Sequence, residues 1–355
     1  MKLDEYLKEY KAKINDAIKS IYDMKLKNIK NRFLVDYYSE LKDYFLAGGK
    51  RLRPLLCIAT YNAFNKKKDE TIVFPSVGIE FLHNASLIHD DIIDKDDFRR
   101  GKPAFHFRFR NYHEKYELKR MIASDFGNSI GIIGGDSAFF LGLEAYFFND
   151  FDRDLNLQAV KYYQQAFIEI ANGVLIETNM VNQTDLTLSD YIEMISLKTG
   201  ALIEKSILIG ANYAQAPNNC FTDLSIYGIN LGIVFQIIDD ILGTFGDEKV
   251  TGKPTDGDIR ENKLTALKLT ALDNLDGLNK KRLVELLENP SMTQSDVQEV
   301  KDLFIKADVV NLCKELAYIY FQKAKSSLDK LKPFINKSEV EFFESLLNFV
   351  IERKF

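Results

Sequence analysis

Apolar residues recur at helical spacing along most of this chain, and this periodicity is what most restricts its fold. Stretches in which apolar and polar residues alternate are almost absent, and the seven prolines are thinly scattered. We therefore predict an all-α protein. No Gly/Ser-rich or Pro-rich linker divides the 355 residues, and 46% of them are hydrophobic, enough for one sizeable core. We predict a single domain over residues 1–355.

Two of the predicted helices are apolar along their length and end in paired aspartates. The stretch SVGIEFLHNASLIHDDIID follows Pro75, a residue suited to the first turn of a helix, and reaches Asp94 without a breaker. The stretch TDLSIYGINLGIVFQIIDDIL has Thr222 or Asp223 as its predicted N-cap and is expected to end before Gly243. Each helix therefore carries a double aspartate near its carboxyl end.

The first acidic cluster has the spacing of a metal site. On a helix Asp90 and Asp94 lie one turn apart on one face, whereas Asp91 lies about 100° round the axis. Magnesium takes oxygen ligands, commonly one or two protein carboxylates together with substrate phosphates, so this spacing suggests a metal-bridged diphosphate. A solvated acidic helix end is the alternative. Two such clusters beside apolar helices argue against it, because uncompensated carboxylates are costly next to a core.

Basic stretches offer ligands for such a diphosphate. The donors are Lys50, Arg51 and Arg53 in GGKRLRP, Arg99 and Arg100 after the first acidic cluster, and Lys249, Lys253, Arg260 and Lys263 in GDEKVTGKPTDGDIRENK. The arginine fork matches phosphate geometry better than lysine does. The last stretch is not a nucleotide-binding P-loop, because Gly246 to Gly252 is one residue too long and Pro254 replaces the Ser or Thr. His83 lies two turns before Asp90, where a buried core histidine is the plainer interpretation.

Charge and cysteine usage restrict partners and location. The formal net charge of −5 gives no general attraction to nucleic acid or anionic lipid. The three cysteines lack the spacing of a zinc site or a disulfide framework, so we predict reduced core thiols. The N-terminus is charged throughout, and no uncharged apolar run reaches the roughly eighteen residues of a membrane span. We expect a cytoplasmic protein without a transmembrane segment and without nucleic acid as a partner.

Four stretches together resemble the motifs of trans-prenyl diphosphate synthases of the polyprenyl synthetase family. They are GGKRLRP, HNASLIHDDIIDKDDFRRGKPAFH, KTG at 198–200 and FQIIDDILGTFGDEKVTGKPTDGDIRENK. The resemblance spans about residues 40–265 in the same order and is closest to archaeal geranylgeranyl diphosphate synthases. It implies a single helical bundle of the isoprenoid synthase type around a deep central cavity, usually a homodimer, with the acidic clusters opposed across the cavity mouth.

The resemblance also implies roles for individual residues. The implied magnesium ligands are Asp90, Asp94 and Asp239, with Asp91 and Asp240 as supporting carboxylates, and three magnesium ions would accompany a bound diphosphate. The implied ligands of isopentenyl diphosphate are Lys50, Arg53, His83 and Arg100, and those of the allylic diphosphate are Arg99, Lys198, Lys253 and Lys263. Thr199 and Gln236 match polar residues near the reacting carbon.

The implied reaction is ionisation, condensation and elimination, joining isopentenyl diphosphate to dimethylallyl, geranyl or farnesyl diphosphate. The chain departs from the family in two places. Gly243 replaces the final aspartate of the second cluster, as in archaeal members, so we expect activity to survive. Gly173-Val174-Leu-Ile-Glu177 stands where the family usually has Gly-Gln-x-x-Asp, and no role for Val174 or Glu177 follows from the resemblance.

Product length depends, in this family, on residues one to two turns before the first acidic cluster. Here Ala85 and Ser86 are small, so the growing chain should pass toward Leu82 and Ile79, each about 5 Å deeper. We predict a product of geranylgeranyl length or longer. A close contact between helices would also explain the small residues. Alternatively, the stretch GDSAFFLGLEAYFF on a facing helix limits the length of the product.

Some features leave alternatives open. The connection at about 107–130 is longer than in the family and mixes basic with aromatic residues, a mixture also found where proteins contact RNA. We prefer a surface loop or an extra helix as its interpretation. A metal-dependent phosphohydrolase using His83, His89 and Asp90 would not explain the second acidic pair. A terpene cyclase of the same fold binds one diphosphate and would not need the basic residues of both GGKRLRP and RRG. A non-catalytic subunit would be expected to lose its aspartates.

Overall fold

The computed structural model describes residues 2–65, 69–183, 185–246 and 255–353. Within these ranges the chain is almost entirely helical, and its only strands are a two-residue antiparallel pair that forms a hairpin. The prediction of an all-α protein is confirmed.

The helices follow one another through short connections. They are α1 Leu3–Leu26, α2 Arg32–Leu46, α3 Leu52–Phe64, α4 Val73–Ile93, α5 Phe105–Lys115, α6 Ala123–Gly142, α7 Glu144–Phe147, α8 Arg153–Met180, α9 Leu188–Ile195, α10 Ala201–Tyr213, α11 Phe221–Phe245, α12 Gly257–Arg260, α13 Ala266–Asn274, α14 Gly277–Leu287, α15 Gln294–Lys306, α16 Val309–Leu331 and α17 Lys337–Ile351. The strands are β1 Phe98–Arg99 and β2 Lys102–Pro103. A π-helix, Ser196–Gly200, joins α9 to α10.

Local side-chain chemistry sets where several helices begin. Thr187 before α9 and Thr293 before α15 form capping boxes with Asp190 and Asp296, in which each side chain bonds to the other residue's backbone N–H. The helix α4 begins at Val73, so Pro75 lies in its first turn as predicted.

The ends of α11 differ from the prediction. The helix begins at Phe221 after a 3₁₀ turn, with Cys220 at the N-cap, so neither Thr222 nor Asp223 caps it. It also runs through Gly243 to Phe245. An Asp258 carboxylate oxygen lies only 2.8 Å from where a β-carbon on Gly243 would stand, so this glycine serves close packing and not helix termination.

The chain divides into two compact units. Unit 1 comprises Met1–Gln165, Ser206–Pro217 and Ile335–Phe342. Its central helix is α4, which packs against α1, α3 and α6 and is fully buried at residues such as Ile79, Phe81 and Ile88. The segment Ile335–Phe342 contacts α1, because the Tyr6 hydroxyl donates a hydrogen bond of 2.8 Å to the buried carboxylate of Glu339.

Unit 2 comprises Ala166–Lys205, Asn218–Phe334 and Phe343–Phe355. Its most extensive helix contact joins α11 to α16. The α11 side chains Leu231, Val234 and Ile237 are buried, and the Tyr227 hydroxyl donates a hydrogen bond of 2.8 Å to the backbone oxygen of Phe343. Whether the two units form one domain, as the sequence predicts, stays a prediction.

The region at 107–130 is mostly helical, because it contains most of α5 and the start of α6. Phe105 and Phe109 of α5 are fully buried and pack against the Tyr37 ring at centroid distances of 5.9 and 6.0 Å. Arg108 on another face of the helix forms an ion pair of 3.0 Å with Glu40. The alternation of basic and aromatic residues therefore reflects helix packing.

Two stretches are long and apolar enough to span a membrane by length and composition alone, Ala123–Phe147 and Asn218–Phe245. In their most apolar windows 44% and 56% of the residues are buried inside the protein, and core helices of soluble proteins pass the same test. The absence of a transmembrane segment stays a prediction. Cys57, Cys220 and Cys313 are buried and form no disulfide, as predicted.

Candidate active site

The first acidic cluster lies at the carboxyl end of α4, in unit 1. The Asp94 N–H donates a hydrogen bond of 2.8 Å to the Asp90 backbone oxygen, so these two residues are one helical turn apart as their spacing predicts. Both side chains are half-buried. The pair therefore presents two carboxylates on one face at the rim of a buried helix.

Asp91, between them in sequence, is fully buried and has a different environment. Its carboxylate accepts a hydrogen bond of 3.1 Å from the Tyr44 hydroxyl and another from Arg99 Nε. Burial raises the pKa of Asp91 to about 6, although Arg99 acts in the opposite direction. Because Arg99 belongs to β1, its bond to Asp91 ties the β1–β2 hairpin to α4. The role of Asp91 as a supporting carboxylate stays a prediction.

A cationic cluster lies close to α4 in the same unit. Burial lowers the pKa of His83 well below its usual range, and the positive charges of Arg53 and Arg100 lower it further. Burial also lowers the pKa of Arg53 to about 10. Within the described residues the buried Arg53 Nε has no hydrogen-bond partner. A neutral histidine therefore lies beside arginines, one of which, Arg53, has an N–H without a partner among the described residues. Such a group of side chains is suited to binding an anion.

The β1–β2 hairpin and the glycine turn before α3 meet beside this cluster. Arg100 Nη1 donates a hydrogen bond of 3.2 Å to the Gly48 backbone oxygen, which brings Arg100 next to the segment that carries Lys50. The structure thus gathers Arg53, His83 and Arg100 into one region. Their role as ligands of isopentenyl diphosphate stays a prediction. Arg99 lies in the same hairpin and pairs with Asp91, with Asp96 at 3.6 Å.

Arg51 differs from its neighbours in GGKRLRP. Its guanidinium is buried and donates hydrogen bonds to Asn15 (2.9 Å), to the Glu80 carboxylate (2.8 Å) and to the Phe45 backbone oxygen (2.6 Å). These bonds engage all three guanidinium nitrogens of a buried side chain, so Arg51 anchors the start of α3 and is not placed to bind phosphate. Sequence reasoning had counted it among the donors.

The predicted chain-length floor lies along α4. Ala85 and Leu82 are fully buried, whereas Ser86 is half-buried and donates a hydrogen bond of 2.8 Å to the His83 backbone oxygen. Two turns below Ala85, the Tyr146 ring lies where a β-carbon on Gly78 would stand. Tyr146 belongs to the stretch GDSAFFLGLEAYFF, and within the described residues its buried hydroxyl has no hydrogen-bond partner.

The second acidic cluster lies near the carboxyl end of α11, in unit 2. The Asp239 side chain is 46% exposed and forms an ion pair of 2.8 Å with Arg353 Nη1. The Arg353 guanidinium also lies over the Phe235 ring, 5.0 Å from its centroid. The outer aspartate of this cluster therefore pairs with a cation from the segment that follows α17.

Asp240 is buried and fully engaged by neutral donors. Its oxygens accept hydrogen bonds from the Tyr191 hydroxyl (2.6 Å), the Ala266 N–H (3.1 Å) and the Gln236 amide (2.9 Å). Burial raises the pKa of Asp240 to about 7, although the bonds from Tyr191 and Gln236 act in the opposite direction. Asp240 thus organises this end of α11, whereas Asp239 is exposed. That Asp239 binds metal and Asp240 supports it stays a prediction.

Thr199 and Gln236, the predicted polar pair, are linked to Asp240 by hydrogen bonds. The Thr199 hydroxyl donates a hydrogen bond of 2.9 Å to Gln236 Oε1, and the other end of the same amide contacts Asp240. Lys198 and Thr199 both lie in the π-helix, a rare form that often marks functional sites. Lys198 Nζ forms an ion pair with Glu177 of α8, the residue without an assigned role.

The basic loop after α11 is only partly described. Lys263 lies 2.9 Å from Glu261 and 3.8 Å from Asp258. Asp258 is also the carboxylate that approaches Gly243, so an acid stands beside the position where the motif lacks its final aspartate. Lys253 and Lys249 lie outside the described residues, and the predicted role of Lys253 stays a prediction.

The acidic clusters fit one kind of metal site. Among the residues that the structure describes, no three His, Cys, Asp or Glu side chains are grouped to hold an ion. Asp90 and Asp94 supply carboxylate oxygens at half-buried positions. Magnesium prefers such ligands and completes its shell with water and substrate phosphates, so this donor set fits an ion that a bound diphosphate completes.

Sequence reasoning missed the residues that hold the inner aspartates. Tyr44 and Tyr191 reach Asp91 and Asp240 from 47 and 49 residues away, and no local pattern marks either tyrosine. Arg353 lies in the charged segment IERKF, whose composition was visible but whose partner was not.

Comparison with known proteins adds a family and a fold. The family model described as Polyprenyl synthetase matches residues 35–304. A geranylgeranyl diphosphate synthase of Sulfolobus acidocaldarius is 31% identical over 99% of this chain and 98% of its own length. A geranylfarnesyl diphosphate synthase of Aeropyrum pernix is 32% identical over 86% of this chain and 91% of its own length.

A solved structure has the same fold. It is a geranylgeranyl pyrophosphate synthase of Corynebacterium glutamicum, complexed with isoprenyl diphosphate and magnesium. It superposes with a TM-score of 0.91 at 24% identity, and the match covers 100% of both chains.

Proposed function

Because this chain belongs to the polyprenyl synthetase family and is a trans-prenyltransferase, we propose that it joins isopentenyl diphosphate to an allylic diphosphate in a magnesium-dependent reaction. The allylic substrate is dimethylallyl, geranyl or farnesyl diphosphate. One observation carries the proposal. Each of two apolar helices ends in an outer aspartate accessible to a ligand and an inner aspartate that a buried tyrosine holds in place.

The proposed binding steps follow from the charges of the described residues. Arg53, His83 and Arg100, with Lys50, hold the diphosphate of isopentenyl diphosphate in unit 1. Arg99 and Lys198, with Lys253 and Lys263, hold the allylic diphosphate. Asp90, Asp94 and Asp239 are the proposed metal ligands, three ions being bound together with the diphosphate. Bound magnesium supplies positive charge that stabilises the departing pyrophosphate.

The proposed chemistry then proceeds in three steps. The allylic carbon–oxygen bond breaks, and pyrophosphate leaves with the bonding electrons while Lys198 and Arg99 stabilise its charge. The double bond of isopentenyl diphosphate attacks the allylic cation and forms the new carbon–carbon bond. A proton is then lost to the released pyrophosphate, which leaves a new trans double bond. Thr199 Oγ and the Gln236 amide orient their dipoles toward the cation and exclude water from it.

We also propose a product of geranylgeranyl length or longer. The small side chains of Ala85 and Ser86 support this length, and the named relatives make products of geranylgeranyl and geranylfarnesyl size. Tyr146, packed on Gly78 two turns below Ala85, is the proposed stop. Ala85→Phe should shorten the product and Tyr146→Ala should lengthen it, as measured by chromatography of the dephosphorylated products. Unchanged length in both variants would contradict a floor on α4.

A homodimer in the cytoplasm is the proposed form of the enzyme. The α6–α7 region of unit 1 exposes large apolar side chains that a second copy could cover. They are Ile132, Ile133, Phe140, Phe147 and Phe148, each at least half exposed. Size-exclusion chromatography with light scattering tests this, with Phe140→Glu as the disrupting variant; a wild-type monomer would contradict the proposal.

The decisive experiment incubates the protein with magnesium and radiolabelled isopentenyl diphosphate, with and without each allylic primer. Condensation requires both substrates, whereas a phosphohydrolase releases phosphate from the allylic diphosphate alone. A terpene cyclase converts one allylic diphosphate into a hydrocarbon or alcohol without consuming isopentenyl diphosphate. Labelled polyprenyl diphosphate supports the proposal, and either of the other outcomes overturns it. A matched incubation with EDTA tests the need for the metal.

A further inference from the structure

Lys198 is held by one face of α8. Gly173 and Glu177 are one turn apart on that helix. A β-carbon on Gly173 would stand 2.5 Å from the Lys198 backbone nitrogen, so only glycine lets the two segments approach this closely. Glu177 then forms an ion pair with Lys198 Nζ. One helix face therefore fixes both the backbone and the charged end of the lysine.

The backbone at Lys198 is also unusual. It lies within the π-helix Ser196–Gly200, whose wider turn inserts an extra residue between α9 and α10. The same five residues carry Thr199, which bonds to Gln236. Because π-helical turns are rare, we expect contacts from neighbouring helices to stabilise this one. Gly173 and Glu177 provide such contacts for Lys198.

The Lys198–Glu177 pair is accessible to an anionic substrate. An ammonium group has three donors on a flexible stem, so a lysine can contact a carboxylate and a substrate anion together. The Lys198 and Glu177 side chains are 25% and 32% exposed, so the pair is open to solvent on one side. A diphosphate arriving from that side would meet an ammonium whose direction is already set.

We propose that Glu177 is a positioning residue that holds the Lys198 ammonium in the direction from which it binds the allylic diphosphate. The inference rests on the proposed function, because it takes Lys198 as a ligand of that substrate. It gives Glu177 a role in the reaction through another residue, without contact with the substrate. It also explains why a carboxylate remains here although Val174 replaces the amide of the family pattern.

The test compares Glu177→Ala, Glu177→Asp and a matched control. Glu177→Ala should lower kcat/KM for the allylic diphosphate by about 10-fold or more, the scale of a hydrogen bond to a charged group. The KM for isopentenyl diphosphate should change less than about 2-fold, because Lys198 is not among its proposed ligands. Glu177→Asp keeps the charge, and the lysine stem can follow it, so it should restore most of the activity.

Glu169→Ala is the control. Glu169 lies on the same helix, is 30% exposed and also pairs with a lysine, Lys205, which keeps a second carboxylate partner in Glu204. This variant should leave the allylic kcat/KM unchanged. If it lowers that value as Glu177→Ala does, or if Glu177→Ala affects both substrates equally, Glu177 serves only the fold and the inference fails.

A double-mutant cycle adds a second criterion. In the Lys198→Ala background, Glu177→Ala should cause little further loss, because the group through which it acts is gone. Additive losses would overturn the inference, as would a Glu177→Ala variant that only raises the magnesium concentration needed for half-saturation, measured by calorimetry with pyrophosphate present. A wild-type protein without condensing activity would instead reject the proposed function, so the two failures are distinguishable.

Discussion

In both acidic helix ends the inner aspartate is buried and accepts a hydrogen bond from a tyrosine hydroxyl. Tyr44 donates to Asp91 in unit 1, and Tyr191 donates to Asp240 in unit 2. In both, burial raises the pKa of the inner carboxyl, to about 6 and about 7. The outer aspartates of both clusters are more exposed. The two units therefore use the same arrangement of an anchored inner acid and an accessible outer acid.

The two ends differ in where the compensating cation lies. In unit 1, Arg99 pairs with the inner acid, and this arginine belongs to the hairpin that also carries Arg100. In unit 2, only neutral groups contact the inner acid within the described residues, and Arg353 pairs with the outer acid. A cation on the buried acid is a permanent part of the fold. A cation on the exposed acid occupies the position where the proposed metal would bind.

Removing an outer aspartate should have the largest effect. Asp94→Ala and Asp239→Ala should each lower kcat by about 1,000-fold, because loss of a metal ligand removes several kcal/mol of stabilisation from the departing pyrophosphate. Steady-state assays at saturating magnesium measure this, with the exposed Asp302→Ala as control. If Asp239→Ala keeps its activity, the second cluster does not bind metal and the likeness between the two ends is only structural.

Replacing the inner aspartates should separate the two ends. Asp91→Asn should lower the free energy of unfolding by about 3 kcal/mol, because it leaves the Arg99 cation with much less compensation. Asp240→Asn should not lower it at pH 8, because it removes a buried charge that only neutral groups contact. Urea unfolding with EDTA present measures both values. Equal losses in the two variants would show that the position of the cation is unimportant.

The pH dependence of stability should distinguish the ends further. The pKa of Asp240 is about 7 in the folded state and 3.8 when unfolded, so the folded state binds more protons between these values. Its contribution to the free energy of unfolding is therefore favourable at low pH and is lost as the pH rises through about 7. From pH 5.5 to 7 the stability of Asp240→Asn relative to wild type should rise by about 2 kcal/mol. A constant difference across this range would contradict the raised pKa.

The smallest effect should come from the chain end. Arg353→Ala removes a partly exposed cation that competes for Asp239, so magnesium should half-saturate the enzyme at a concentration lower by about 2- to 5-fold. Magnesium titration by activity and by calorimetry with pyrophosphate tests this. Arg282→Ala, at an exposed ion pair with Glu299, is the control. A higher magnesium requirement would show that Arg353 assists metal binding.

What the sequence predicts correctly here is largely local. The spacing of Asp90 and Asp94 determines their common face, because one helical turn relates them whatever surrounds the helix. Pro75 likewise marks the first turn of α4. These features depend on residues a few positions apart, and the helical period alone orients them.

What the sequence did not predict depends on distant residues. Whether Asp91 or Asp90 is buried depends on Tyr44 and Arg99, and Arg51 is lost as a phosphate ligand because Asn15 and Glu80 reach it. Asp258 also packs closely at Gly243, a contact that the helical pattern of α11 does not reveal. Such contacts arise from packing between helices, which no short pattern encodes.

The segment Ile335–Phe342 belongs to unit 1, although more than a hundred residues of unit 2 precede it. A ribosome releases the chain from its amino end, so α1 emerges long before the Glu339 carboxylate that its Tyr6 hydroxyl requires. Until then Tyr6 has no such acceptor, and burying its hydroxyl would be unfavourable. Unit 1 can therefore reach its final packing only after Ile335–Phe342 has been synthesised, and chains stopped before Ile335 should be recognised by chaperones or proteases.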